Sequence, residues 1–159
     1  MDKQEIFDYL DEKNIWHEIT EHEAVFSMEE AISVELPYPQ CDAKNLFIRD
    51  DKKRNYYMIT VCGPKRVDLK EFRQEHGTRR LSFASAEDLW ELIHIKPGSV
   101  SPLGLLNNQQ CNVKLVQDRR LWCVDHGLDY CYAANLLPER LIGDGDRGLC
   151  GAGVLGNRI

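Results

Sequence analysis

The sequence contains no long hydrophobic run. No stretch of the 159 residues approaches the roughly 20 consecutive apolar residues of a membrane-spanning helix. The opening "MDKQEIFDYLDEK" is too charged for a signal peptide. A cytoplasmic location with no membrane partner is therefore expected. Positive charge is also scarce: 20 Lys and Arg stand against 26 Asp and Glu, a net charge of −6 that argues against indiscriminate nucleic-acid binding. No internal repeat and no linker divides the chain, so residues 1–159 read as one domain. Its 43% hydrophobic content is enough for a core. Six cysteines, 41, 62, 111, 123, 131 and 150, come without an export signal, which favours reduced thiols over a disulfide framework.

Several catalytic signatures are missing as well. There is no G-x-S-x-G elbow, and none of the five histidines lies in a recognisable local motif. His17, His22 and His76 stand in polar, exposed-looking surroundings, while His94 follows an apolar helical stretch and reads as structural. A literal G-x-G-x-x-G occurs at Gly151, Gly153 and Gly156, but three residues after Gly156 leave no room for the helix whose N-terminus would hold a pyrophosphate. Cys111, Cys123, His126 and Cys131 have the donor chemistry for zinc. Their spacing, C-x11-C-x2-H-x4-C, matches no common zinc motif. Neither a metal nor a cofactor is expected.

What is present is unevenly distributed. Residues 1–43 hold twelve acids and two bases, whereas residues 44–80 hold eleven bases and five acids. Lys52, Lys53, Arg54, Lys65, Arg66, Lys70, Arg73, Arg79 and Arg80 follow Lys44 and could form a cationic face toward a polyanion. The plainer reading is solvated charge on turns and one helix.

Four helix starts pair a capping residue with an acid three positions on: Asp2 with Glu5, Ser27 with Glu30, Asp68 with Glu71, and Ser85 with Asp88. Gly77 suits the end of the third helix, and Pro97 with Gly98 the end of the fourth. Strands are predicted over 15–19, 45–48, 56–61, 81–83 and 113–116, with "IRDDKKRNYYMITV" forming a hairpin. Strands interleaved with helices predict a mixed α/β fold. Residues 119–159 show little periodicity.

Two places invite chemistry. One is the start of the strand in "CDAKNLFIRD", where Lys44 and Asn45 place a cation and an amide just before buried backbone. The other is "KPGSVSPLGLLN". Pro97 and Pro102 make it a stiff loop without two backbone donors, while Gly98, Ser99 and Ser101 let another molecule approach the main chain. An ordinary stiff connection explains the composition equally well.

Five segments together resemble the YbaK/prolyl-tRNA-editing family. They are "HEAVFSMEEA" (22–31), "AKNLFIRDDKKRNYYMITV" (43–61), "KRVDLKEF" (65–72), "RRLSFASAEDLWELIHIKPGSVSPLGLLN" (79–107) and "VKLVQD" (113–118). The resemblance implies a single α/β domain with a mixed, strongly curved and partly barrel-like sheet flanked by helices. It implies a trans-editing hydrolase that deacylates mischarged tRNA(Pro), most simply alanyl-tRNA(Pro). The alternatives are cysteinyl-tRNA(Pro), or a catalytically impaired relative that binds tRNA or an aminoacyl nucleotide. Lys44 would hold the phosphate of the terminal adenosine and Asn45 would orient the ester end. The backbone of Gly98, Ser99, Val100, Ser101 and Pro102 would hold the aminoacyl group and the attacking water. Phe26, Ala43, Phe47 and His126 would line the substrate. The partners would be the acceptor end of tRNA(Pro) and, beyond it, prolyl-tRNA synthetase. The chain departs from the family at Ala43, where threonine is frequent, and at Asp42, where histidine is. After residue 118 it has "LDYCYAANLLPE" in place of Phe-His-Pro and Asn-Thr-Ala-Thr segments. His126 is the candidate substitute there, and residues from about 143 onward are expected to lack regular structure.

Overall fold

The computed structural model describes residues 1–20, 43–62 and 65–117. Three helices begin at expected caps. In α1 (Lys3–Glu12) the Asp2 carboxylate accepts from Glu5 N, and the Glu5 side chain accepts from Asp2 N. Helix α2 (Leu69–Glu75) starts at Asp68, which accepts from Lys70 N and Glu71 N. Helix α3 (Ala86–Ile93) starts at Ser85 with a reciprocal box to Asp88. In each case two of the helix's orphan donors, or one together with the cap's own N–H, are satisfied within one turn. The expected fourth cap at Ser27 lies outside the described residues.

Strands β1 (Ala43–Asp50), β2 (Tyr56–Cys62), β3 (Leu81–Phe83) and β4 (Val113–Gln117) form one mixed sheet in the order β3-β1-β2-β4. The β1–β2 and β1–β3 pairs are antiparallel, and β2–β4 is parallel. Among the described residues the sheet is open, with β3 and β4 at its edges. The predicted strand over 15–19 does not form. Ile15 is instead buried as a single anchor after α1, with Trp16 and Ile19 exposed.

Strand alternation divides the core in two. Phe47, Tyr56, Met58, Val113 and Leu115 point to one face and pack with Leu10, Ile15, Leu89, Ile93 and Leu105 from the helices and the 3-10 helix (Pro102–Asn107). Ile48, Tyr57, Ile59, Val61 and Val116 point to the other face and pack on Phe72 of α2. Because both faces are covered, β2 reads as an almost unbroken apolar run.

Two buried carboxylates organise the polar part of this core. Asp50, 1% exposed, accepts from Lys52 N, Arg54 N and Asn55 Nδ2 at 3.0, 2.9 and 2.7 Å, which builds the hairpin turn around it. Asp88, 5% exposed, accepts from Ser85 N at 3.0 Å, Tyr56 Oη at 3.2 Å and Lys53 Nζ at 3.4 Å. Arg49 Nε lies 3.1 Å from it as an ion pair, off the N–H direction of a hydrogen bond. Burial works against ionisation of Asp88, but the hydrogen bonds from Ser85 and Tyr56 together with the Lys53 charge hold the carboxyl below its ordinary range. Burial first, and then the Asp88 charge, push the Tyr56 phenol upward, so it donates.

The expectation of exposed surroundings is revised for His17 and His76, and His22 lies outside the described residues. His94 is exposed and ends α3 in the left-handed region at φ 55°, three residues before Pro97. His17 and His76 are half-buried, with rings against Phe7 and Phe72. Cys111 is disulfide-bonded, where reduced thiols were expected. The expectation for residues from 143 onward falls outside the described residues.

Gly104, in the middle of the 3-10 helix, is where a methyl group has no space. A Cβ there would lie 2.1 Å from Ile95 Cδ1 and 3.1 Å from Ile95 Cγ1. Ile95 packs on the first core, so it can yield only by repacking. Gly104→Ala is expected to lower stability by roughly 1–3 kcal/mol, the usual range for overpacking. Urea denaturation checks this, and an unchanged midpoint would show that Ile95 swings aside freely.

Candidate active site

The candidate site gathers at the start of β1. Strand geometry turns Lys44 and Asn45 to opposite faces of the sheet. Asn45 shares a face with Phe47 and lies opposite Thr60 on β2; Lys44 lies opposite Val61. Lys44 is half-buried, and among the described residues no acceptor is bonded to its ammonium. A half-buried cation favours a nearby anion, because part of its desolvation has already occurred.

Both ends of the Asn45 amide are engaged. Its Nδ2 donates to the Val100 carbonyl at 2.9 Å, and its Oδ1 accepts from Thr60 Oγ1 at 2.8 Å. The structure thus brings Asn45 together with the 98–102 loop across 55 residues of sequence. No hydrogen bond or ion pair among the described residues joins Lys44 to that loop.

The loop has its own local logic. Ser99 N donates to Lys96 O at 3.1 Å, with Pro97 second and Gly98 third in the turn and Gly98 at φ 92°. This matches a type II turn, in which proline presets the second residue and glycine takes the positive φ of the third. Ser101 then caps the 3-10 helix, its hydroxyl accepting from Leu103 N at 3.2 Å, and buried Pro102 opens that helix. Ser99 and Gly98 are exposed, and Val100 packs its side chain on the first core. The N–H groups of Gly98 and Val100 meet no acceptor among the described residues, which leaves two donors open on a rigid backbone.

Open space surrounds the Cβ position of Gly98, so the turn alone requires glycine there. Gly98→Ala is expected to cost roughly 1–2 kcal/mol through φ strain and to shift the loop. Gly98→Val should additionally block the approach to the two donors. Ser99→Ala should do neither, and comparing melting and activity of the three variants checks the ranking.

The remaining expected residues separate. Phe47, 4% exposed, is a core side chain stacked on Tyr56 with ring centroids 5.9 Å apart. Ala43 is buried at the first position of β1. Phe26 and His126 lie outside the described residues. Of the cationic run, Arg79 forms a two-pronged pair with Asp51 at 2.6 and 3.0 Å, and Lys53 reaches Asp88. The Lys52–Arg54 turn sits at the far end of β1 from Lys44, about 20 Å along the strand. The described residues contain no cluster of three metal-ligating side chains, and none of their helices is long and apolar enough to cross a membrane.

Sequence reasoning passed over Thr60. It is 0% exposed and faces Asn45 across the hairpin. The signal was available: the hairpin register sets Asn45 against Thr60, two polar residues opposite each other beside the apolar pair Phe47 and Met58.

Comparison with known proteins bears on the family and the fold. Residues 22–128 match the family model of the aminoacyl-tRNA editing domain, so the match runs ten residues beyond the segments that carry the resemblance and includes His126. The chain is 34% identical over 119 residues to the prolyl-tRNA editing protein ProX of Acetoanaerobium sticklandii, covering 75% of this chain and 73% of that protein. It is 31% identical over 103 residues to prolyl-tRNA synthetase associated domain-containing protein 1 of Mus musculus, covering 64% of this chain and 60% of that one. In fold it is similar to the crystal structure of hypothetical protein APE2540, with a TM-score of 0.55 at 20% identity over 73% of this chain and 74% of the other. The chain belongs to the aminoacyl-tRNA editing domain family, the YbaK/prolyl-tRNA-editing group that its own segments resemble.

Proposed function

We propose that this protein is a trans-editing deacylase that hydrolyses the ester of mischarged tRNA(Pro), with alanyl-tRNA(Pro) as its substrate. One observation carries this reading: at the start of β1 a half-buried Lys44, without an acid partner among the described residues, adjoins an Asn45 that clamps a stiff loop whose Gly98 and Val100 N–H groups meet no acceptor among the described residues. The Acetoanaerobium relative, a prolyl-tRNA editing protein by name, supports the proline system.

In this reading the Lys44 ammonium binds the phosphate of the terminal adenosine. The tRNA end passes over the start of β1, so the ester reaches the Asn45 face. The N–H groups of Gly98 and Val100 would donate to the ester carbonyl oxygen as it gains charge. Water adds to the carbonyl carbon, the bond to the ribose oxygen breaks, and that oxygen leaves with a proton from the attacking water. Free amino acid and uncharged tRNA result. The neighbouring ribose hydroxyl can relay the proton, so positioning replaces a strong side-chain base.

The substrate follows from size. A synthetase pocket shaped for proline rejects a smaller amino acid weakly, since each missing methylene is worth only ~1–3 kcal/mol, and a second, smaller sieve restores accuracy. Purified protein should therefore hydrolyse alanyl-tRNA(Pro) and spare prolyl-tRNA(Pro). Faster loss of the proline ester would refute the sieve. A preference for cysteinyl-tRNA(Pro) would keep the mechanism and change the substrate. The unusual segment "LDYCYAANLLPE" favours a second reading, a binder of charged tRNA that has lost turnover. Binding without hydrolysis in the same assay would establish it.

A further inference from the structure

We infer that Thr60 is a positioning residue for the site: its hydroxyl sets the orientation of the Asn45 amide, and through it the position of the Val100 carbonyl. The inference goes beyond the functional reading above and rests on it only for its activity readout. Three observations support it. Thr60 is 0% exposed and stands between Ile59 and Val61 in β2, so its hydroxyl needs a partner inside the protein. It finds one, donating to Asn45 Oδ1 at 2.8 Å. An amide whose oxygen is held this way presents its nitrogen in one direction, and that nitrogen meets Val100 O at 2.9 Å. Without the hydroxyl, the Asn45 amide could rotate and turn its oxygen toward the Val100 carbonyl, two acceptors face to face.

The placement explains why a buried strand spends a position on threonine. Val at 60 would fill the same volume and suit a strand equally well; only the hydroxyl differs. Gln117 lies opposite Thr60 on β4 and is 8% exposed, so Asn45, Thr60 and Gln117 form one polar row across three strands, at the end of the sheet where the loop attaches. The row ends the apolar core and begins the site. The Val100 carbonyl ties the loop to the sheet, and the Gly98 and Val100 N–H groups lie within two residues of it. A loop that drifts by an ångström loses their aim, which is where a reaction without a side-chain base is most sensitive.

The test compares Thr60→Val with Thr60→Ser, using two readouts. In amide NMR spectra of the whole protein, Thr60→Val is expected to shift the Ser99, Val100 and Ser101 resonances and to speed proton exchange of the Asn45 side-chain amide at least about tenfold. Thr60→Ser, which keeps the hydroxyl, should leave both near wild type. In the deacylation assay Thr60→Val should lower kcat about tenfold with KM within roughly twofold, and Thr60→Ser should recover most of kcat. Unmoved loop resonances in Thr60→Val overturn the inference whatever the activity. So does a Thr60→Ser variant as impaired as Thr60→Val, which would indicate a packing role. An inactive wild type would instead count against the deacylase reading, and the spectra would still decide the role of Thr60.

Discussion

Lys44→Ala is expected to lower kcat/KM on alanyl-tRNA(Pro) roughly 10- to 150-fold without loss of cooperative folding. The magnitude is that of one hydrogen bond to a charged group, about 1.5–3 kcal/mol. The fold should survive because no described partner depends on the ammonium. The aliphatic stem is another matter. It leaves the sheet beside Val61 and is half-buried, so truncation also removes packing. Lys44→Met keeps the stem and discards the charge, and it should lose as much activity as Lys44→Ala. Lys44→Arg should recover little, since a planar fork does not reproduce a compact ammonium with three rotating donors. Steady-state kinetics on the three variants beside thermal melts separates these terms. Activity within threefold of wild type in Lys44→Met would remove Lys44 from the site.

Asp88→Ala should have the largest effect on stability. Asp88 is where β1, β2, the hairpin turn and α3 meet, through Arg49, Tyr56, Lys53 and Ser85. Removing it leaves the Tyr56 hydroxyl and the Arg49 guanidinium without their carboxylate and opens the α3 cap. Breaking a buried pair of this kind costs about 3–5 kcal/mol, or roughly 6–20 °C of melting temperature for a chain of this size. Lys53 contributes little of that, since its side chain is 54% exposed. The same carboxylate makes stability depend on pH. The folded-state pKa values of Asp88 and Asp50 both lie below the ordinary 3.8, so each stabilises the fold fully above that value. The contribution disappears as pH falls through the depressed folded values. Melting temperature should therefore be level from neutral pH to about 5 and fall steeply below about 4. In Asp88→Asn the acid slope should be shallower, with the Asp50 part remaining. An unchanged slope would mean that Asp88 has the same proton affinity folded and unfolded.

The elements that sequence alone determined are those whose causes lie within a few residues. Asp2, Asp68 and Ser85 start helices because a cap and the third residue after it satisfy each other within one turn. Residues 81–83 and 113–116 read as strands from a short apolar run with bounding turn residues, and the structure extends the second by one residue. Pro97 and Gly98 predicted a stiff, sharply turned loop, and the type II turn is that prediction made specific. Where a local signal was weak or had competitors, reading failed. Residues 15–19 alternate like a strand, yet no neighbouring edge pairs with them, and α3 stops at His94 before the proline that appeared to end it.

Tertiary structure alone decided everything that depends on distant residues meeting. The order β3-β1-β2-β4, with β4 parallel to β2, follows from how two cores are covered on both faces of one sheet. Lys44 and Asn45 are neighbours in sequence and read as one site. An extended strand turns successive side chains to opposite faces, so Asn45 reaches the loop while Lys44 stands on the other face. Arg49 and Asp88 are 39 positions apart, and Asn45 and Val100 are 55 apart. A local pattern carries no information about such pairs, because they form only when the burial of both cores has set strand register and helix position to within an ångström.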